Sequence, residues 1–273
     1  MLSIDETALS NGELYTIVTN KAAKGRKGTL VAMIKGTKAE DITTALEHIP
    51  EKTREQVKEV TMDMAGNMSK AIRSSFSNAK TVTDRFHVQK LAYDAVQELR
   101  IKYRWEAIEA ENTRLANAKK NKESVNAEPV LSNGDTVKQM LARSRYLLFK
   151  QESKWTASQK ERAKLLFERY PELRKAYDLS IKLGYIYNNT TKELALTKLA
   201  LWHNEVEAAG IDSFGTVSRS VEQHHESILR FFINRSTNAS AESFNAKIKA
   251  FRATSRGLRD LNFFLYRISK IYA

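Results

Sequence analysis

The chain has 273 residues, 42% of them hydrophobic, with 3 Pro, 10 Gly, no Cys and a formal net charge of +13. That length and apolar content can bury one large core or two intimate ones, and the sparse Pro and Gly favour long helices. Disulfides and Cys-ligated zinc are excluded, as are a membrane span of about 20 apolar residues and a signal peptide, so a cytoplasmic protein is expected. A surface this basic attracts polyanions, nucleic acid being the commonest. The charge is concentrated at one end: from Leu229 to Ala273 there are 9 Lys/Arg against 2 Asp/Glu, a net +7.

In chain order, Leu2 to Leu9 reads as a strand running into Asn11-Gly12, a tight-turn signal, and Glu13 to Thr19 as its hairpin partner. A basic loop, Lys21 to Gly28, leads to a third strand, Thr29 to Lys35. Ile42, Ala45, Leu46 and Ile49 recur at helical spacing, and Pro50 is expected to close that helix. Val57 to Asp63 is a fourth strand, Met68 to Phe76 a short helix and Ala79 to Asp84 a fifth strand. From Val88 to Arg235 nearly everything is helical, broken by a polar loop from Lys119 to Asp135. One helix carries the stripe Ile101, Trp105, Ile108 and Leu115. A second is marked by Leu141, Leu147 and Leu148, a third by Leu165, Leu166 and Phe167, and another by Leu194, Leu196, Leu199 and Trp202. Trp105, Trp155 and Trp202 are expected in the core, the alternative being that they flank a flipped or distorted nucleic-acid base. Two last helices span about Ser240 to Phe251 and Leu258 to Tyr272.

The order β-β-β-α-β-α-β, a long helical block, then α, predicts an α/β fold: an RNase H-like mixed sheet with helices on both faces. The expected division is residues 1–87 as the first part of the sheet domain, 88–235 as an all-helical insertion, and 236–273 as the returning helices.

Three acidic residues stand where chemistry can use them. Asp5 lies within the first strand beside Leu2 and Ile4, and Asp63 ends the fourth after Val57, Val60 and Met62. In such a sheet these strands are neighbours, so the carboxylates converge near strand ends. Glu242 lies early in a helix whose apolar stripe is Ala241, Phe244, Ile248 and Phe251, with Glu242, Asn245, Lys249 and Arg252 along the adjoining polar stripe. Asn238 and Ser240 are candidate N-caps for that helix. Three carboxylates form a hard-oxygen site for two Mg²⁺ or Mn²⁺ ions. Two ions about 4 Å apart clamp an in-line displacement at phosphorus.

Three stretches carry a family resemblance: SIDETALSNGELY (Ser3 to Tyr15), VTMDMAGNMSKAIRSSFSNAKTVTDRFHVQK (Val60 to Lys90) and TNASAESFNAKIKAFRATSRGLRDLNFF (Thr237 to Phe264). They resemble the DDE transposases of bacterial insertion sequences, in particular the ISL-three family. The resemblance implies that Asp5, Asp63 and Glu242 are the catalytic, metal-binding triad and that the long helical block is the family's insertion domain. It further implies that DNA is cut with water and joined through a 3′-hydroxyl. Asp84 and His87 resemble a second family signature, an acidic residue or Cys closely followed by His, and are candidates, with Asn245, for second-shell or phosphate contact. Family members usually carry an N-terminal Cys-rich zinc element and a helix-turn-helix. Here the sequence starts almost at Asp5 without Cys, so the resemblance is to the catalytic domain. Ser243 also stands where many relatives have Gly.

Lys247, Lys249, Arg252, Arg256 and Arg259 are the expected DNA-backbone contacts, with Lys24, Arg26 and Lys27 of the basic loop as a second group. The loop is not a P-loop, since G-x-x-x-x-G-K-[ST] is absent. His224-His225-Glu226 is not a zinc site, because adjacent His residues cannot share a helical face. The expected partners are transposon-end and target DNA and a second copy of the chain on DNA, with no membrane and no small-molecule substrate. The rival readings are an RNase H-like nuclease or resolvase, which cuts without joining, and an inactive DNA-binding module.

Overall fold

The computed structural model describes residues 1–9, 13–122, 124, 127–188, 191–254 and 260–273. Asn11-Gly12, Leu258, Arg256 and Arg259 lie outside the described residues. Two compact units form, one from Met1–His87 with His224–Ala273 and the other from Val88–Gln223.

The first unit opens with strands β1 (Leu2–Ala8), β2 (Leu14–Asn20) and β3 (Leu30–Lys35). Helices α1 (Ala39–Glu47) and α2 (Glu51–Arg54), strand β4 (Glu59–Met62), helix α3 (Gly66–Ser75) and strand β5 (Lys80–Thr83) follow. The five strands make one mixed sheet in the order β3-β2-β1-β4-β5. Antiparallel ladders join β1 to β2 and β2 to β3, and parallel ladders join β1 to β4 and β4 to β5. Pro50 does not close the first helix. That helix ends at Glu47 with His48 as its cap, and Pro50 instead introduces α2, where a missing N–H costs nothing.

Period-two alternation sorts the strands onto two faces. Leu2, Ile4, Val18, Val60 and Met62 pack with Ile42 and Leu46 of α1 and Met68, Ala71 and Ile72 of α3. Tyr15 and Ile17 point the other way. They meet Phe244 and Ile248 of α11 (Ala239–Thr254) and Phe264 and Ile268 of α12 (Leu261–Tyr272). Helix α12 starts after Asp260, whose carboxylate accepts from the amides of Asn262 (2.8 Å) and Phe263 (3.1 Å).

Helix α10 (His225–Asn234) packs on β5. Arg230 Nη1 donates to Thr81 O at 3.1 Å, and the Thr83 and Ser227 hydroxyls are 2.7 Å apart. It therefore belongs to the sheet unit, and the helical unit ends at Gln223, before the Arg235 boundary drawn from sequence.

The helical unit holds most of α4 (Arg85–Lys120) and all of α5 (Val137–Arg143), α6 (Ala157–Arg169), α7 (Pro171–Ile186), α8 (Lys192–Ala209) and α9 (Asp212–Gln223). Reciprocal capping boxes start α5 and α6: Thr136 with Gln139, and Thr156 with Gln159. Pro171 opens α7, and Gly210, at φ 64°, ends α8.

Several expectations fail here. Leu141, Leu147 and Leu148 do not share a helix, because α5 stops at Arg143 and Leu147–Phe149 is a separate 3-10 turn, although all three side chains are buried. The α4 stripe is not core. The helix has 36 residues, about 54 Å at 1.5 Å per residue, and its buried positions end at Arg100. Ile101 and Leu115 are exposed and Trp105 is 65% exposed. Leu194 and Leu196 of α8 are exposed, whereas Leu199 and Trp202 are buried. Trp155 is buried but follows a 3-10 turn rather than lying on a helical stripe. Trp155 Nε1 donates to Leu147 O (2.8 Å) and Trp202 Nε1 to Leu179 O (2.9 Å), so both polar ends are satisfied.

A buried carboxylate anchors α5 to α6. Asp135, 1% exposed, accepts from Arg162 Nε at 2.8 Å and also binds Arg143. Burial pushes its carboxyl up, but the Arg162 and Arg143 guanidinium groups outweigh that and hold it below the usual aspartate value. A depressed folded-state pKa gives stability that is present above the unfolded value, about 4, and is lost as pH falls through the folded one. Asp135→Asn should therefore lower helical-unit stability by about 2 kcal/mol at pH 7, a figure reduced for the half-exposed Arg143. The gap from wild type should be smaller at pH 3 than at pH 7. Melts followed by circular dichroism at the two pH values check this, and an equal gap at both would refute the assignment.

Candidate active site

β1 and β4 pair only through Leu2↔Val60 and Ser3↔Thr61. Asp5 and Asp63 thus lie just past the paired stretch, each in step with the other, where the strands are free to part. Such crevices at the carboxyl ends of parallel strands are where α/β sheets collect ligands. Asp5 stands opposite Ile17 and so points to the α11 face. Asp63 closes a turn by accepting from the Ala65 amide at 2.9 Å. Asp84 follows β5, and its amide donates to Met62 O at 2.9 Å, which places it beside Asp63.

The returning helices complete the group. Asn238, fully buried before α11, donates its backbone N–H to Asp84 Oδ1 (3.3 Å) and its side-chain Nδ2 to Ile4 O (3.2 Å). That pins the start of α11 between β1 and β5. One turn on, Glu242 is brought to Asp84 and His87, and the ligand atoms of these three all lie within 4.8 Å of one another. Asn245, buried, donates to Asp5 Oδ2 at 2.8 Å. The carbonyl oxygens of the Asn238 and Asn245 side chains are buried without a partner among the described residues.

The electrostatics show crowding of like charge. Burial pushes the Asp5 carboxyl up and Asp63 adds to this, against the Glu6 amide, His87 and Asn245. Glu242 is raised by desolvation and then by Asp84 and Asp5, with His87 opposing. The sequence reading passed over Glu6, whose carboxyl is raised by burial, Asp63 and Asp5. Two more residues lie near the group: Glu59, which the sequence reading passed over, and Lys21, which it read as part of the basic loop. Glu59, buried on β4, accepts from Asn234 Nδ2 at 2.9 Å and from the Ser236 hydroxyl. Lys21 Nζ donates to Thr61 Oγ1, and burial lowers the lysine's pKa despite attraction from Glu59 and Asp84.

The two basic groups expected from sequence meet. Lys247 Nζ on α11 is 3.4 Å from Gly25 O, so the exposed Lys24, Arg26 and Lys27 of the loop lie beside the α11 cations. Lys249 is exposed. Arg252 turns inward, its guanidinium 4.9 Å from the Phe264 ring centroid, because its position on α11 faces α12.

A mixed α/β chain that gathers four carboxylates and an imidazole at its parallel strand ends, beside clustered cations, has the make-up of a nucleic-acid-processing enzyme. The family model for the ISL3 transposases, described as a transposase, matches residues 2–268, and the chain belongs to that family. No curated protein and no solved structure gives a match. Among the described residues no helix is long and apolar enough to cross a membrane.

Proposed function

We propose that the protein is a DDE transposase catalytic domain that cuts and joins DNA with two Mg²⁺ or Mn²⁺ ions, on an RNase H-like sheet with Val88–Gln223 as its helical insertion. The observation that carries this is the convergence of Asp5, Asp63, Asp84, His87 and Glu242, from four separate segments, at one end of the parallel strands. Sheet order and family membership support the fold reading.

The donor set fits the ions: carboxylate oxygens predominate, one imidazole is admissible, and no thiol is present. Asp5 and Asp63 would hold one side of the centre. Asp84 and His87 are close enough to Glu242 to act as ligands themselves, a more direct part than the contact with phosphate or with the metal's ligands inferred from sequence. When bound, the ions supply Lewis acidity and neutralise charge at phosphorus. Asn245 orients the Asp5 carboxylate through its 2.8 Å hydrogen bond. Lys24, Arg26, Lys27, Lys247 and Lys249 would hold the DNA backbone. In cleavage a water oxygen attacks phosphorus and the P–O3′ bond breaks, leaving a 3′-hydroxyl and a 5′-phosphate. In joining, that 3′-hydroxyl attacks a target phosphodiester and displaces its 3′-oxygen. Pairing of two DNA ends calls for two copies of the chain on DNA.

The test is nicking of supercoiled DNA by the purified protein in Mn²⁺ or Mg²⁺ against EDTA, then incubation of a pre-cleaved 3′ end with target plasmid. Metal-dependent nicking followed by joining is expected. Nicking without joining would favour a nuclease, and DNA binding without either would favour an inactive binding module.

A further inference from the structure

The helical unit carries a cationic and aromatic surface that neither its packing nor the metal centre uses. Arg100 of α4 is buried, its Nε held by Gln97 Oε1 at 2.7 Å and its Nη1 by Leu141 O at 2.9 Å. Gln97 Nε2 also donates to Arg145 O at 3.2 Å, which seats the Arg145–Tyr146 segment on this part of α4. Arg104 follows Arg100 by one turn of the same helix. Three guanidinium groups therefore share one neighbourhood, and besides burial it is Arg104 and Arg145 that lower the Arg100 pKa, with no carboxylate opposing them.

Arg104 and Arg145 are exposed, and among the described residues neither makes a salt bridge. Arg145 lies over its neighbour Tyr146, guanidinium to ring centroid 5.5 Å, and Tyr146 is 66% exposed. Trp105, as exposed as Tyr146, follows Arg104 in the sequence of α4. Close guanidinium groups without acidic partners repel one another until an anion neutralises them. Large aromatic rings left in water beside them offer flat apolar faces. Phosphates joined to planar rings satisfy both, and a ring can stack on a base only where that base is unpaired.

We propose that Arg104, Arg145 and Tyr146, with Trp105 next along α4, bind unpaired nucleotides of a DNA strand, the guanidinium groups taking phosphates and the rings stacking on bases. The proposal rests on the DNA-processing reading of the sheet unit and adds a surface on the helical unit that reads strand state. It predicts a preference for single-stranded or frayed DNA that the metal centre does not determine.

The test compares the full chain with the double variant Arg145→Ala/Tyr146→Ala by fluorescence anisotropy, using one labelled 20-nucleotide DNA as a single strand and as a duplex, without divalent metal. Single-strand affinity should fall at least about tenfold and duplex affinity less than about twofold. Tyr146→Phe, which keeps the ring, should bind like wild type. Trp105→Ala, on an exposed helix face, should weaken single-strand binding without lowering the melting temperature. Unchanged single-strand affinity in folded variants, or an equal loss for both DNA forms, overturns the proposal. Wild type that binds duplex but no single strand overturns it alone, whereas wild type that binds no DNA at all overturns the transposase reading as well.

Discussion

Asp63→Asn is expected to reduce Mn²⁺-dependent DNA nicking by at least about a thousandfold while leaving the melting temperature within a few degrees of wild type. The substitution is isosteric, and Asn Oδ1 can still accept from the Ala65 amide, so the turn after β4 survives. What is lost is a negative charge beside Asp5. If the ion held there contributes several kcal/mol to the displacement at phosphorus, a thousandfold loss corresponds to about 4 kcal/mol. Asp84→Asn, assayed alongside, separates the ligand sets. Full activity in Asp63→Asn with none in Asp84→Asn would move the centre to Asp84, His87 and Glu242 and remove Asp63 from it. Equal nicking by both variants and wild type would point to a contaminating nuclease.

Glu59→Ala should unfold the sheet unit earlier by about 3 kcal/mol, a fall of roughly 10 °C in its melting midpoint. Its two carboxylate oxygens take the Asn234 side chain and the Ser236 hydroxyl, and hydrogen bonds to a buried charge are worth about 1.5–3 kcal/mol each. Removing the acid also leaves the part-buried Lys21 ammonium with less opposing charge. Both donors precede Asn238, which ties α11 to Asp84 and Ile4, so the loss should also loosen Glu242. Glu59→Gln, which retains one acceptor, should lose about half as much. Thermal and urea unfolding of the three proteins decide the matter, and an unchanged midpoint in Glu59→Ala would show the contacts to be incidental.

The sheet was legible because its signals are local. Alternating apolar residues mark β1, β2 and β4, and their order implied that Asp5 and Asp63 are neighbours. The buried line of α11 was legible at Ala241, Phe244 and Ile248, with Glu242 on the adjoining stripe, whereas Asn245 of that expected polar stripe is buried. Glu59 and Glu6 were not legible, because nothing local distinguishes a buried or part-buried acid on a strand from a solvated one. Glu59 is explained only by Asn234 and Ser236, far along the chain. The helical unit was misread where periodicity stood in for burial: Ile101, Trp105 and Leu115 have helical spacing but no partner layer, and spacing cannot supply one. The starts of α5 and α6, by contrast, carry capping boxes, Thr136 to Gln139 and Thr156 to Gln159, that the sequence reading did not use.

The split of the sheet unit between the two ends of the sequence also sets an order of events during synthesis. All five strands and both helices of the α1 and α3 layer emerge within the first 83 residues, while the helices that cover Tyr15, Ile17 and Asp5 follow Gln223. At translation rates of about 5–20 residues per second, one apolar face of the sheet waits on the order of ten seconds for its cover. Over that interval the nascent chain presents Ile17 and Tyr15 to solvent and to chaperones. The acidic group lacks Glu242 throughout it, so the cluster on which the proposed function rests is complete only after the helical unit has been made.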